Sequence, residues 1–171
     1  MSFAVWLTGL SGSGKSAIAR ALLERLHARG LDAALLESDV MRTQITPFPR
    51  YDDADRDFFY DVLMQLGSVI VDQARPVIFD ATANRRAYRD AARKKIARFA
   101  EVFVDTPLEV CIARNTKGLY STGATATLPG VQAPYEAPLA AELVVRGDRG
   151  TPQQAADSVI ELLQSERWLK K

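Results

Sequence analysis

Eight consecutive residues, Gly9-Leu10-Ser11-Gly12-Ser13-Gly14-Lys15-Ser16, satisfy the pattern G-x-x-x-x-G-K-[ST]. They stand between a short apolar run and an amphipathic stretch, the strand-to-helix context in which this pattern holds phosphate. Glycines allow positive φ and remove Cβ atoms that would keep phosphate oxygens from backbone N–H groups. A helix N-terminus adds partial positive charge. Lys15 is then placed to reach the β- and γ-phosphates, and Ser16 to ligate the Mg²⁺ that neutralises them. Gly9, Ser11, Gly12, Ser13, Gly14, Lys15 and Ser16 are therefore the expected nucleotide site, with ATP and Mg²⁺ as its ligands.

Phosphoryl transfer to an alcohol also needs a carboxylate near the attacking hydroxyl and cationic groups to hold an anionic acceptor. Asp39, after the second strand pattern, is the expected carboxylate; it takes the proton, binds Mg²⁺ or does both. Asp80 closes the apolar run 76–80 and has two readings: it orients Mg²⁺ through water, or it caps the helix that follows. A basic stretch holds Arg85, Arg86, Arg89, Arg93, Lys94, Lys95 and Arg98 against one acid, Asp90. Arg85 and Arg89, one turn apart, are expected to face a phosphorylated acceptor, and Arg93 onward a solvated surface.

Other patterns lead nowhere. Asp53-x-Asp55-x-Asp57 begins like a calcium loop, but Phe58 replaces the required glycine and Met64 the bidentate glutamate. Asn115-Thr116-Lys117-Gly118 has the wrong order for a guanine-specific element. No aromatic platform accompanies the basic helix, so nucleic acid is not an expected partner. Phe58, Phe59 and Tyr60 are consecutive and cannot share one helix face; one of them is expected near the acceptor as a stacking surface. His27 lies near a helix C-terminus and has no metal-ligand partners. Cys111, the only cysteine, is expected to be buried and inert.

The elements that must position these groups alternate along the chain. Strands are expected at residues 3–8, 32–36, 76–80, 101–105 and 142–145, and helices at about 15–29, 54–74, 84–98, 107–114 and 152–166. Residues 38–53, with Pro47 and Pro49, read as a polar connection. Apolar strands separated by helices mean an α/β fold: a parallel sheet with helices on both faces. The 171 residues, 47% hydrophobic and 25% charged, suit a single domain spanning 1–171. Its Gly-, Pro- and Thr-rich segment, about 116–138, is too long for an idle connection and is expected to act as a lid. A net charge of +1 implies no global attraction to nucleic acid. The absence of a basic leader or a long apolar run points to a cytoplasmic protein with no membrane partner.

Trp6-Leu7-Thr8-Gly9-Leu10-Ser11-Gly12-Ser13-Gly14-Lys15-Ser16 is similar to the start of the adenylylsulfate kinase family. Glu101-Val102-Phe103-Val104-Asp105-Thr106-Pro107-Leu108-Glu109-Val110-Cys111, followed by Arg114 and Lys117-Gly118-Leu119-Tyr120, resembles the family more specifically. So does Gly130-Val131-Gln132-Ala133-Pro134-Tyr135-Glu136-Ala137-Pro138. The resemblance implies an ATP-dependent kinase of sulfate assimilation acting on the 3′-hydroxyl of adenosine 5′-phosphosulfate, commonly as a homodimer. It implies that Arg114 lies against the ATP adenine, that Lys117 brings charge to the phosphates, and that Arg42 and Arg56 bind the acceptor.

On the acceptor side the resemblance weakens. The second aspartate and the arginine of an Asp-Gly-Asp element survive as Asp39 and Arg42, and Tyr51 takes the place of a phenylalanine. Phe59 stands where the family has a substrate-binding asparagine, and Ala83-Asn84-Arg85-Arg86 replaces Ser-Pro-Tyr-Arg. Leu128 stands at an aromatic position. Phe59, Asn84 and Arg85 are accordingly expected to shape an altered acceptor pocket. Asp80-Ala81-Thr82 also resembles a wider group of small-molecule hydroxyl kinases, which leaves another nucleotide or metabolite as the alternative acceptor. A nucleotide-binding regulator that transfers no phosphate is the reading from a different class.

Overall fold

The computed structural model describes residues 2–114, 130 and 133–170. Five parallel strands, β1 (Ala4–Thr8), β2 (Ala34–Glu37), β3 (Val77–Asp80), β4 (Phe99–Asp105) and β5 (Leu143–Arg146), form one sheet in the order β2-β3-β1-β4-β5. The expected parallel sheet with covering helices is present. Alternation along the strands assigns the two faces. Val5 and Leu7 of β1 join Ile78, Val102 and Val104 in a core covered by α1 (Lys15–His27) and α6 (Pro152–Ser165). Ala4 and Trp6 join Val77 and Phe79 in a second core, covered by α3 (Asp53–Asp72) and α4 (Arg86–Lys95).

Local chemistry sets the helix boundaries. Ile18, Leu22 and Leu26 recur every fourth residue along α1 and are all buried, so the stripe faces the sheet. Asp52 caps α3 by accepting the Asp55 N–H at 2.8 Å. Thr151 and Gln154 form a reciprocal capping box on α6 with Pro152 just inside it. The helix α5 (Leu108–Arg114) follows β4.

One expectation fails here. Residues 38–45 form a helix, α2 (Ser38–Ile45), where the sequence reading has a polar connection. No residue of α2 is buried; of its three apolar side chains Val40 is exposed, and only Met41 and Ile45, one turn apart, pack on the α3 side of the core. A short helix with two anchors gives little periodicity to read. The helix places Asp39 in its first turn and Arg42 in its last.

The register pairs Leu7 and Glu37 with Asp80, and Thr8 with Phe103. The strands therefore end together, and the loops leaving their carboxyl ends share one edge, the usual location of a ligand crevice in such sheets. No described helix is long and apolar enough to cross a membrane.

Candidate active site

Gly14 takes φ 105° as the residue that starts α1, a left-handed conformation an L side chain resists, and the helix has no side-chain cap there. The first N–H groups of α1 are left to a ligand, as a phosphate site requires. Lys15 is nearly buried, and its Nζ donates to the carbonyls of Gly9 at 3.0 Å and Leu10 at 2.8 Å, folded back over the loop it follows.

The loop is gripped from outside. Thr106 Oγ1 donates to Ser13 O at 2.9 Å, and Arg114 donates to Gly12 O at 3.2 Å and Gly147 O at 2.7 Å. A Cβ on Gly147 would lie 1.9 Å from Ser13 O and 2.4 Å from Thr106 Oγ1, so only glycine fits where the segment after β5 crosses the loop. Sequence reasoning missed Gly147: its requirement comes from a neighbour 134 positions away (147 minus 13). Gly9 and Ser13 shape the loop from beneath and do not line the cavity above it. The Ser13 N–H is spent on Leu10 O at 3.1 Å, and its buried Oγ has no hydrogen-bond partner among the described residues.

That cavity has a volume of about 830 Å³, within the range that encloses small-molecule ligands. Ser11, Gly12, Gly14, Lys15, Ser16 and Arg114 line one half. Asp39, Arg42, Arg56, Asp80 and Asn84 line the other, so the expected phosphate site and half of the expected acceptor residues meet in one space. Asp80 is 5% exposed and does not cap α4, which starts at Arg86 with Arg85 as its N-cap. Ser16, Asp39 and Asp80 all face this space with hard oxygen donors, the set Mg²⁺ prefers. Among the described residues no group of three or more His, Cys, Asp or Glu side chains could hold a metal alone. Mg²⁺ fits such a donor set because it shares its shell between one or two protein groups and nucleotide phosphates.

The acceptor half is made of side chains. Arg42 Nη1 pairs with Asp55 Oδ2 at 3.1 Å, and its guanidinium lies 3.9 Å from the Phe59 ring centroid and 5.2 Å from that of Tyr51. This planar cation is held by one carboxylate and two aromatic faces. Phe59, expected in the acceptor pocket, is fully buried and does not line it; it acts as the floor beneath Arg42. Arg56 is 8% exposed and faces the cavity.

Two further expectations are corrected. Arg85 does not line the cavity; it pairs with Asp53 at 2.6 Å and Asp57 at 3.5 Å on the outer side of α3. Arg89 is not directed at an acceptor but is 1% exposed, donating to Glu101 Oε1, to Ala83 O and to Glu136 O. Of the face expected to be solvated from Arg93 onward, Lys94 and Lys95 are exposed, whereas Arg93 is half-buried and pairs with Glu142 and Glu101. A basic helix read from sequence looks solvated because its carboxylate partners lie on β4 and before β5.

Asn84 ties the cavity to the last part of the expected lid. Its Nδ2 donates to Pro134 O at 3.2 Å, and its carbonyl accepts the Glu136 N–H at 2.8 Å. Between them, the Tyr135 hydroxyl lies 3.0 Å from Thr8 Oγ1, which donates to Thr82 O at 2.6 Å. Burial pushes the Tyr135 phenol up to about 12. Cys111 is fully buried, as expected, and burial raises its thiol above the ordinary range. Lys117, Leu128 and most of the lid, residues 115–129 and 131–132, lie outside the described residues.

A parallel sheet whose first strand runs through G-x-x-x-x-G-K-S into a helix, with a carboxylate-lined cavity over that loop, defines a P-loop kinase. Residues 1–146 match the family model described as adenylylsulphate kinase. The chain belongs to the adenylylsulphate kinase family. It is 37% identical over 160 residues to an adenylyl-sulfate kinase of Paraburkholderia xenovorans, covering 91% of this chain and 89% of that one. It is 38% identical over 164 residues to the bifunctional enzyme CysN/CysC of Xylella fastidiosa, a match of 93% of this chain but 26% of that much longer protein. The structure of the Mycobacterium tuberculosis APS kinase CysC in complex with AMPPNP and APS superposes with a TM-score of 0.87 at 33% identity, covering 95% of this chain and 98% of that one.

Proposed function

We propose that the protein transfers the γ-phosphate of ATP to the 3′-hydroxyl of adenosine 5′-phosphosulfate, the step of sulfate assimilation to which its family belongs. One observation carries the reading: the P-loop and the Asp39, Arg42 and Arg56 side chains line one cavity, so donor and acceptor can meet without water between them. Lys15 and the N–H groups at the start of α1 hold the phosphates, and Arg114 supports the nucleotide from beside the loop. Asp39 orients the attacking hydroxyl and accepts its proton, a role supported by its place in the first turn of α2 and by its lining the same cavity as Ser16 and Asp80. Arg42 and Arg56 hold the anionic groups of the acceptor, and Asn84 borders the same half. Mg²⁺, when bound, neutralises the phosphate charge, with Ser16, Asp39 and Asp80 as the side chains suited to it.

The chain is read as one kinase domain over 1–171, with residues 116–138 as its lid and Lys117 as a lid cation. A cytoplasmic location accords with a lone reduced cysteine, and a homodimer is the assembly to test by sedimentation. The deciding experiment supplies ATP·Mg²⁺ with adenosine 5′-phosphosulfate, other nucleoside diphosphate-like compounds and simple sugar alcohols, following ADP release and product mass. Turnover of adenosine 5′-phosphosulfate to a product heavier by one phosphoryl group is expected. Silence there with turnover of another alcohol would overturn the acceptor assignment and leave the kinase class standing.

A further inference from the structure

Tyr60 lies on α3, one turn beyond Arg56, and lines the acceptor half of the cavity although it is only 8% exposed. Its ring is fixed on two sides: Tyr88 stacks on it at 4.5 Å between centroids, and Phe59 meets it edge-on at 5.2 Å. Tyr88 is held in turn, its hydroxyl donating to Asp57 at 2.6 Å. Such support leaves the phenol little freedom to turn away.

The Tyr60 hydroxyl accepts the backbone N–H of Ala83 at 3.0 Å. A phenol both donates and accepts, and an N–H group cannot take its proton. No described residue accepts that proton, while Arg42, Arg56 and Asp39, all lining the cavity, are the charged groups acting on the hydroxyl. The remaining direction is the cavity itself. Burial raises the phenol above its ordinary value, so the group stays a neutral donor through the physiological range.

We infer that Tyr60 is a specificity-determining residue whose O–H donates to an anionic oxygen of the second substrate, beside Arg56. The inference rests on the functional reading above and adds a residue to it. A neutral donor at this point favours an acceptor that presents an oxygen without a hydrogen, such as a sulfate or phosphate oxygen. An alcohol turned to that point would have to spend a lone pair on Tyr60 and find a separate acceptor for its own proton.

The test is steady-state kinetics of the full chain with ATP·Mg²⁺ and adenosine 5′-phosphosulfate. For Tyr60→Phe the expected result is an acceptor KM raised about tenfold, with the KM for ATP and kcat within about twofold. Because Tyr60→Phe also strips Ala83 N–H of its partner, 3,5-difluorotyrosine at position 60 is the companion variant. Its phenol ionises at lower pH; the phenolate still accepts from Ala83 N–H but has no proton to give. Its acceptor KM should climb with pH while its KM for ATP follows the wild type. An acceptor KM that tracks the wild type at every pH would show that Tyr60 only props Ala83, and would overturn the inference alone. Absence of wild-type turnover would remove the functional reading and this inference together.

Discussion

The two halves of the cavity are built from different materials. The nucleotide half is backbone: a loop of eight residues, a helix N-terminus, and carbonyls fastened by Thr106, Arg114 and the glycine at 147. The acceptor half is an assembly of side chains drawn from α2, α3, the end of β3 and the segment that follows β3. Backbone N–H groups cannot be altered by substitution, only displaced, so the phosphate half tolerates little change in any protein that uses it. Side-chain cages can be rebuilt one residue at a time. That is where Phe59 and Asn84 depart from the resembling family's pattern, and it explains how one scaffold can keep its phosphate donor while its acceptor contacts change.

The largest expected effect breaks the chemistry shared by the two halves. Asp39→Asn should lower kcat about 10³-fold while ATP affinity, measured by calorimetry, changes less than about threefold. Survival of turnover would remove Asp39 from the proton-accepting role. Next, Gly147→Val drives a side chain into Ser13 O and attacks the backbone half from a distant segment. The expected cost is about 3 kcal/mol of stability, a fall in Tm of about 6–12 °C, together with a raised KM for ATP. An unshifted melting curve would mean that the crossing relaxes without loss.

Arg42→Lys probes the side-chain half. Lysine keeps the charge but loses the planar stack between Tyr51 and Phe59 and the fixed fork toward Asp55. The acceptor KM should rise about tenfold, with the KM for ATP unchanged. Equal rises in both constants would show that the halves are not energetically separable.

The smallest effect concerns the frame behind them. Burial raises the Glu142 carboxyl, but the hydrogen bond from Arg93 and the Glu101 N–H at 2.7 Å outweigh it, and the net shift is downward. A carboxyl depressed in the folded state adds stability that is present above its unfolded value and lost as pH falls through the folded one. The Tm difference between wild type and Glu142→Gln should therefore be largest near neutrality and close below about pH 4. A difference independent of pH would point to packing rather than charge.

Legibility followed the same division. The phosphate loop was fully readable because its geometry is closed within eight neighbours, and the helices and strands that carry it announced themselves by period. On the acceptor side, Asp39, Arg42 and Arg56 were found through their spacing and the family resemblance, yet the helix holding the first two was not. Phe59 and Tyr60 exchanged places relative to expectation: the residue expected at the pocket is its floor, and its neighbour lines the cavity. Arg85 and Arg89 looked alike in sequence, but one lies in exposed ion pairs and the other is clamped in the interior.

The fold class, the P-loop and the family were readable from the chain alone, since each is written in local period or in contiguous residues. Which arginines are structural, which of Phe59 and Tyr60 lines the cavity and why position 147 must be glycine emerge from packing alone. Those outcomes depend on which residues from distant segments arrive at the same few ångströms. A one-dimensional pattern carries residue type and spacing, whereas burial, partner and direction are properties of the packed chain.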